Sequence, residues 1–308
     1  MEFSHVPVML GEAIEALDIK PDGVYADCTT GGGGHSLEIA KRLTDGGHLY
    51  CLDQDEEAVE AFTKRLEPFS GRFTPIRRNF ADAGEIFRDI MLDGALMDLG
   101  VSSHQIDDAG RGFSYMQNAP LDMRMDRSRS ITAADIVNGY DERRLADVIF
   151  RWGEEKYSRV IAAAIVKARA EAPVETTQRL ADIIASAVPK NYREAGGHPA
   201  KRTFQALRIE TNGEIDIIDP SIRAIVDRLK PGGRIAVITF HSLEDRAVKR
   251  AFASLSKGCT CPPDFPVCVC GKKPKIKVFK DVTPSEGELA SNPRAHSARL
   301  RYAERTAD

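Results

Sequence analysis

Short apolar runs alternate with stretches of helical periodicity toward both ends of this chain. Val24-Tyr25-Ala26 ends in Asp27, and His48-Leu49-Tyr50-Cys51-Leu52 ends in Asp53. Residues 72–80, 95–100 and 232–240 supply three further strand-like runs, the last introduced by Leu229-Lys230-Pro231. Between them apolar residues recur three or four positions apart, as in Ala58, Phe62 and Leu66 or Ile222, Ile225 and Leu229, the spacing of one helix face. Strands alternating with helices predict an α/β fold built on a parallel, doubly wound sheet. Ligands in such sheets sit at the carboxyl ends of the strands. Asp27, Asp53, Phe80 and Asp98 all fall at those ends, so they converge on one crevice.

The middle of the chain breaks the alternation. About 130 residues separate the fourth and fifth strands, far more than one crossover helix needs. They carry helical periodicity over 133–137, 145–152, 160–170 and 180–188 and no convincing strand. An inserted all-helical domain over 105–198 is expected, with 1–104 and 199–308 forming the sheet. An insert leaving the carboxyl end of a strand is placed to act as a lid or substrate-recognition module.

The first turn carries the candidate chemistry. Asp27 is followed by Cys28-Thr29-Thr30-Gly31-Gly32-Gly33-Gly34-His35 and then by Leu37, Ile39, Ala40 and Leu43 at helical spacing. Consecutive glycines allow positive φ and close approach of a ligand to the main chain. The dinucleotide pattern G-x-G-x-x-G fails here, because frames begun at Gly31 or Gly32 end on Ser36 or Leu37. An acid at the strand end followed by G-x-G fits better, with Thr29 where a first glycine usually stands. That arrangement suits S-adenosylmethionine, which offers an ammonium group to a carboxylate and has no pyrophosphate. Asp53 lies 19 residues beyond Gly34, where nucleotide folds place the carboxylate that accepts both ribose hydroxyls. A tight turn without ligand, and a helix N-cap at Asp53, are the structural alternatives.

Composition narrows the class. Of 308 residues, 42% are hydrophobic and 29% charged, with a formal net charge of −3. No apolar run is long enough to span a membrane, and Met1–His5 shows no signal-peptide pattern, so a cytoplasmic location is the default. The weak overall charge hides nine basic residues against Asp264 between Arg246 and Lys280, a local excess able to meet phosphates. Of six cysteines, Cys28 and Cys51 lie in strands as small core residues. Cys259, Cys261, Cys268 and Cys270 raise zinc before disulfides. Their C-x-C pairs depart from the usual two- to four-residue spacing, and the expectation is no bound metal.

Several blocks together resemble one family. They are His5-Val6-Pro7-Val8-Met9-Leu10, Gly32-Gly33-Gly34-His35, Met97-Asp98-Leu99-Gly100-Val101-Ser102-Ser103 and Arg111-Gly112-Phe113-Ser114. Further on come Pro120-Leu121-Asp122-Met123-Arg124-Met125, residues 198–208, residues 239–246 and Ser291-Asn292-Pro293-Arg294-Ala295. In this order, over essentially the whole chain, they resemble the RsmH (MraW) family of bacterial methyltransferases that act on a cytosine N4 of 16S (small-subunit) ribosomal RNA. The resemblance implies a class I, Rossmann-like methyltransferase sheet with an inserted helical domain, and S-adenosylmethionine as cofactor. It implies ribosomal RNA, in the small ribosomal subunit, as partner, with no membrane and no assignable protein partner.

Carried onto this sequence, the cofactor contacts are Gly33, Gly34, His35, Asp53, Phe80, Asp98 and Gln105, with Asp98 also the candidate catalytic group. His35 and Gln105 rest on the resemblance alone. Amino-methyltransferases usually follow the acid of the fourth strand with Pro-Pro-aromatic, whereas Asp98 is followed by Leu99-Gly100, so no base-stacking side chain is assigned. His241-Ser242 either faces the target nucleotide or caps the next helix. Arg202, Arg208, Lys249 and Arg250 are candidate phosphate contacts. A methyltransferase acting on DNA or a small molecule, and a non-catalytic RNA-binding assembly factor, are the alternative functions.

Overall fold

In a computed structural model, the described residues are 7–195, 198–259, 261, 265–267 and 269–307, with side chains left aside at 193–195. His5, Val6, Asp264 and Cys268 lie outside them. The chain divides into two compact units, Met1–Gly100 with Ile215–Asp308, and Val101–Glu214.

The first unit holds a seven-stranded sheet. Its strands are β1 (Val24–Asp27), β2 (His48–Asp53), β3 (Phe73–Arg77), β4 (Leu92–Asp98), β5 (Leu229–Thr239), β6 (Ile276–Val278) and β7 (Arg299–Arg305), in the order β3-β2-β1-β4-β5-β7-β6. The first five run parallel, whereas β7 pairs antiparallel with both β5 and β6. The α/β class therefore stands, and the purely parallel sheet is corrected to five parallel strands with an antiparallel edge pair. The strands β1, β2, β4 and β5 are nearly continuous apolar runs because both faces are covered. One face packs on Phe87, Ile218, Ile222, Ile225, Val248 and Phe252. The other packs on Leu17, Ile39, Phe62 and Leu66. Each such side chain withdrawn from water contributes about 1.5–3 kcal/mol.

The switch in strand order between β1 and β4 sets where the crevice opens. Pairing runs Tyr25 with Gly94, Ala26 with Ala95 and Asp27 with Leu96, so the acids that end β1 and β4 emerge together at the carboxyl end of the strands. Between β4 and β5 the covering helix of this unit is Ile218–Val226. The helix Lys201–Asn212 belongs to the second unit.

That second unit runs from Val101 to Glu214 rather than over 105–198. Its core joins Ile136, Leu145, Ile149, Ile161, Ile165, Leu180, Ile184, Phe204 and Leu207. The helix Glu142–Gly153 illustrates why these elements form. Asp141 caps it through Arg144 N–H, and Leu145, Ile149 and Trp152 fall on its buried face. Arg111, fully buried, donates to the carbonyls of Arg124 and Met125 at 3.0 Å. Asn212 accepts from Met125 N–H at 2.8 Å and donates to Met123 O at 2.8 Å. The Arg-Gly-Phe and Pro-Leu-Asp-Met-Arg-Met blocks are thereby latched to the end of the Lys201–Asn212 helix. Among the described residues, no helix is long and apolar enough to cross a membrane.

Candidate active site

The turn after β1 is stitched to its neighbours before any ligand is considered. Cys28 N–H donates to Leu96 O and Thr30 N–H to Leu52 O, both at 2.9 Å, tying the turn to β4 and β2. Thr29 Oγ1 accepts from Asp98 N–H at 2.5 Å, which gives this threonine a structural task where a glycine was expected. Gly33 caps the helix Gly34–Ala40 at φ 76°. A side chain there would be strained by conformation and would meet Phe62 Cβ at 2.9 Å. A Cβ on Gly34 would lie 2.2 Å from Pro7 Cγ. Both glycines are thus required by packing, whatever approaches the turn.

Four carboxylates converge around that turn. Asp27 is fully buried, accepts from Ser36 Oγ at 2.6 Å and from Thr29 N–H at 3.2 Å, and is pushed up to about 6 by burial. Asp53 accepts from Gly31 N–H at 2.8 Å and Asp55 N–H at 2.9 Å, and burial likewise raises it to about 6. Asp98 is held well above the usual carboxylate range, first by burial and then by the negative charges of Asp27 and Glu244. Its Oδ1 is buried without a hydrogen-bond partner among the described residues. Glu244 is buried and accepts from Phe240 N–H at 2.7 Å and His241 N–H at 3.2 Å.

His35 closes the group from below. Its Nε2 lies 3.2 Å from Val8 O, and burial lowers its basicity to about 4, so the ring is neutral at pH 7. A neutral imidazole that donates through Nε2 turns an acceptor nitrogen outward. That nitrogen, Nδ1, is 3.7 Å from Asp98 Oδ2. Two acceptors facing each other, beside an orphaned carboxylate oxygen, leave a site short of donors and of positive charge. A cationic ligand carrying donors removes both deficits, and Asp53 at the next strand end suits a vicinal diol. The ammonium, sulfonium and ribose of S-adenosylmethionine fit these residues.

The other expected residues carry local tasks of their own. Phe80 stands three residues beyond the end of β3, in a 3-10 turn capped by Asn79, and packs partly buried against the core. Gln105 belongs to the second unit, where its Oε1 accepts from Ser102 N–H at 3.0 Å in a capping box. His241 caps the helix Ser242–Ser256, also in a capping box, with Glu244 at the third position. Arg208 is committed to Glu214 through two bonds of 2.9 and 2.8 Å, and Arg202 donates to Glu154 O. Arg208 is therefore an internal brace rather than an open phosphate contact, whereas Arg202 is exposed. Lys249 and Arg250 remain exposed. Glu244 was missed from the sequence, although a carboxylate three residues after a capping position is itself a readable signal.

Comparison with known proteins agrees with this chemistry. The profile of the MraW methylase family matches residues 2–306. The chain is 50% identical over 310 residues to the ribosomal RNA small subunit methyltransferase H of Lachnospira eligens, covering 99% of this chain and 98% of that one. It is 52% identical over 306 residues to the protein of the same name from Symbiobacterium thermophilum, covering 98% and 96%. The Clostridium botulinum counterpart is 50% identical over 306 residues, covering 98% of each chain.

Proposed function

The chain belongs to the MraW methylase family, and on that premise we propose that it methylates the N4 of a cytosine in 16S ribosomal RNA, within the small ribosomal subunit and in the cytoplasm. It is an S-adenosylmethionine-dependent methyltransferase, and its relatives are named as methyltransferases of small-subunit ribosomal RNA. The observation that carries the site assignment is Asp98 Oδ1, a buried carboxylate oxygen without a partner, among Asp27, Asp53 and neutral His35.

The cofactor supplies an electrophilic methyl group on a sulfonium. Asp53 would accept the ribose hydroxyls, with Gly33, Gly34 and His35 forming the floor of the turn. Phe80 would lie beside the adenine, and Asp98 and Gln105 toward the methionine end. A cytosine amine is a poor nucleophile because its lone pair is delocalised into the ring. It needs an acceptor that holds one N–H, turns the lone pair out of conjugation and takes the proton as positive charge develops. Asp98 meets that need, because a carboxyl raised well above its usual range is better matched to receiving a proton near neutral pH. The target base must leave its stack to reach the crevice, at a cost of a few kcal/mol. We assign that presentation to the helical unit, Val101–Glu214.

The test is incubation with methyl-labelled S-adenosylmethionine and either small subunits lacking the modification, naked 16S ribosomal RNA, or duplex DNA. Label is expected at a cytosine N4 of the small-subunit RNA, found by nuclease digestion and mass spectrometry. Label only in DNA, or cofactor binding without any transfer to RNA, overturns the assignment and favours the alternative acceptor or the assembly factor.

A further inference from the structure

The loop between the helix Ser242–Ser256 and β6 plays no part in the crevice, yet it gathers three thiols. The Sγ atoms of Cys259, Cys261 and Cys270 all lie within 4.8 Å of one another. Those of Cys259 and Cys270 are 3.7 Å apart. Two sulfurs bound tetrahedrally at about 2.3 Å from one zinc ion are separated by about 3.8 Å. We propose that Cys259, Cys261 and Cys270 hold a zinc ion that closes this loop, with the fourth coordination position taken by water or another donor.

The surroundings support a metal clasp rather than a hydrophobic one. At the loop base, Lys275 N–H donates to Leu255 O at 2.9 Å, and Thr306 Oγ1 donates to Pro274 O at 2.6 Å. A Cβ on Gly258 would lie 3.2 Å from Pro274 Cδ, so the two limbs already run side by side where the thiols meet. Further out, Phe265, Val267 and Val269 are 52%, 69% and 73% exposed. Burial of apolar surface therefore does not order this segment, and a cross-link at its neck does what a core would otherwise do. Cys261 N–H donates to Cys259 Sγ at 3.4 Å, so the C-x-C pair is already folded back on itself. Three thiolates around one divalent cation leave a single negative charge, and Lys257, Lys272 and Lys273 flank it in sequence. Binding releases the thiol protons to solvent and changes no oxidation state.

Sequence spacing argues against metal only where each C-x-C pair is taken as self-contained. The folded loop instead takes ligands from both limbs, so the tetrahedron does not depend on neighbouring residues alone.

The full chain, purified untagged under reducing conditions, is expected to carry about one zinc per molecule by elemental mass spectrometry. Replacement of the metal by cobalt(II) should give the intense visible absorption of a tetrahedral thiolate site. The double variant Cys259→Ser/Cys270→Ser should lose the metal and the cobalt spectrum while keeping the far-ultraviolet circular dichroism of the wild type. The cobalt measurement needs no variant, so it decides the question even if the double variant misfolds. Reduced thiols with no metal, iron in place of zinc, or a mapped disulfide between Cys259 and Cys270 would each overturn the proposal.

Discussion

Replacing Asp53 with Ala separates the ligand role of this carboxylate from its structural one. In the folded protein the Asp53 carboxyl is raised to about 6, roughly two units above the value of about 3.9 for an unperturbed Asp. At about 1.4 kcal/mol per unit, the ionised group works against folding by about 3 kcal/mol at pH 7. Alanine removes that cost but orphans Gly31 N–H and Asp55 N–H, which Asp53 now accepts at 2.8 and 2.9 Å. Each orphaned donor costs about 1–3 kcal/mol when fully buried, and less at this partly exposed edge. The opposing effects are of similar size, so the melting temperature should move by only a few degrees. Binding has no such compensation. Loss of the hydrogen bonds from a ribose to a charged acceptor costs about 1.5–3 kcal/mol, or about 10- to 150-fold in Kd. Isothermal titration with S-adenosylhomocysteine, alongside thermal unfolding, measures both. Unchanged affinity at an unchanged melting temperature would refute the ribose assignment, and a collapsed melting temperature would refute the balance of burial against hydrogen bonding.

Asp27 and Asp53 are both raised to about 6, so the unfolded chain loses their protons first. Stability of the ligand-free protein should therefore fall as pH rises from about 4 to about 6 and level off above. Cofactor affinity should run the opposite way over the same window. Titrations near pH 5.5 in buffers of different ionisation enthalpy should show proton release on binding; no buffer dependence would contradict the raised values. Gly34→Ala places a Cβ against Pro7 Cγ and should cost about 1–3 kcal/mol by overpacking. Gly71→Ala, with open space but φ 87°, reports conformational strain alone. A denaturant midpoint for Gly34→Ala equal to wild type would show that the Pro7 contact gives way.

The sheet-end acids were legible because an apolar strand run has a definite end, and the residue at that end faces the crevice in any parallel sheet. Asp27, Asp53 and Asp98 follow from that rule, and so does the insertion, since the gap between β4 and β5 is too long for a crossover. The precise limits of the insert were not legible. The helix Lys201–Asn212 is amphipathic like its neighbours, and only its packing on Leu145 and Ile149 assigns it to the second unit. The antiparallel pair β6 and β7 escaped notice because Ile276–Val278 is three residues long and follows a basic segment. Alternation in Arg299–Arg305 becomes meaningful only when it is paired with β5.

By itself, then, the sequence determined the α/β class, the alternation of the first five strands with helices, and the acids at the strand ends. These depend on local periodicity and on chain direction, which the order of residues contains. Tertiary structure decided what long-range contacts decide. Gly34 is small because Pro7 lies over it. Asp98 Oδ2 faces an acceptor because His35, held by Val8 O, turns Nδ1 toward it. Glu244 enters the acidic group through the cap of a helix far along the chain. Three thiols meet because the limbs of one loop are pinned side by side. The first three join residues distant in sequence, and the thiols meet across one loop; in each the meeting is set by packing rather than by periodicity.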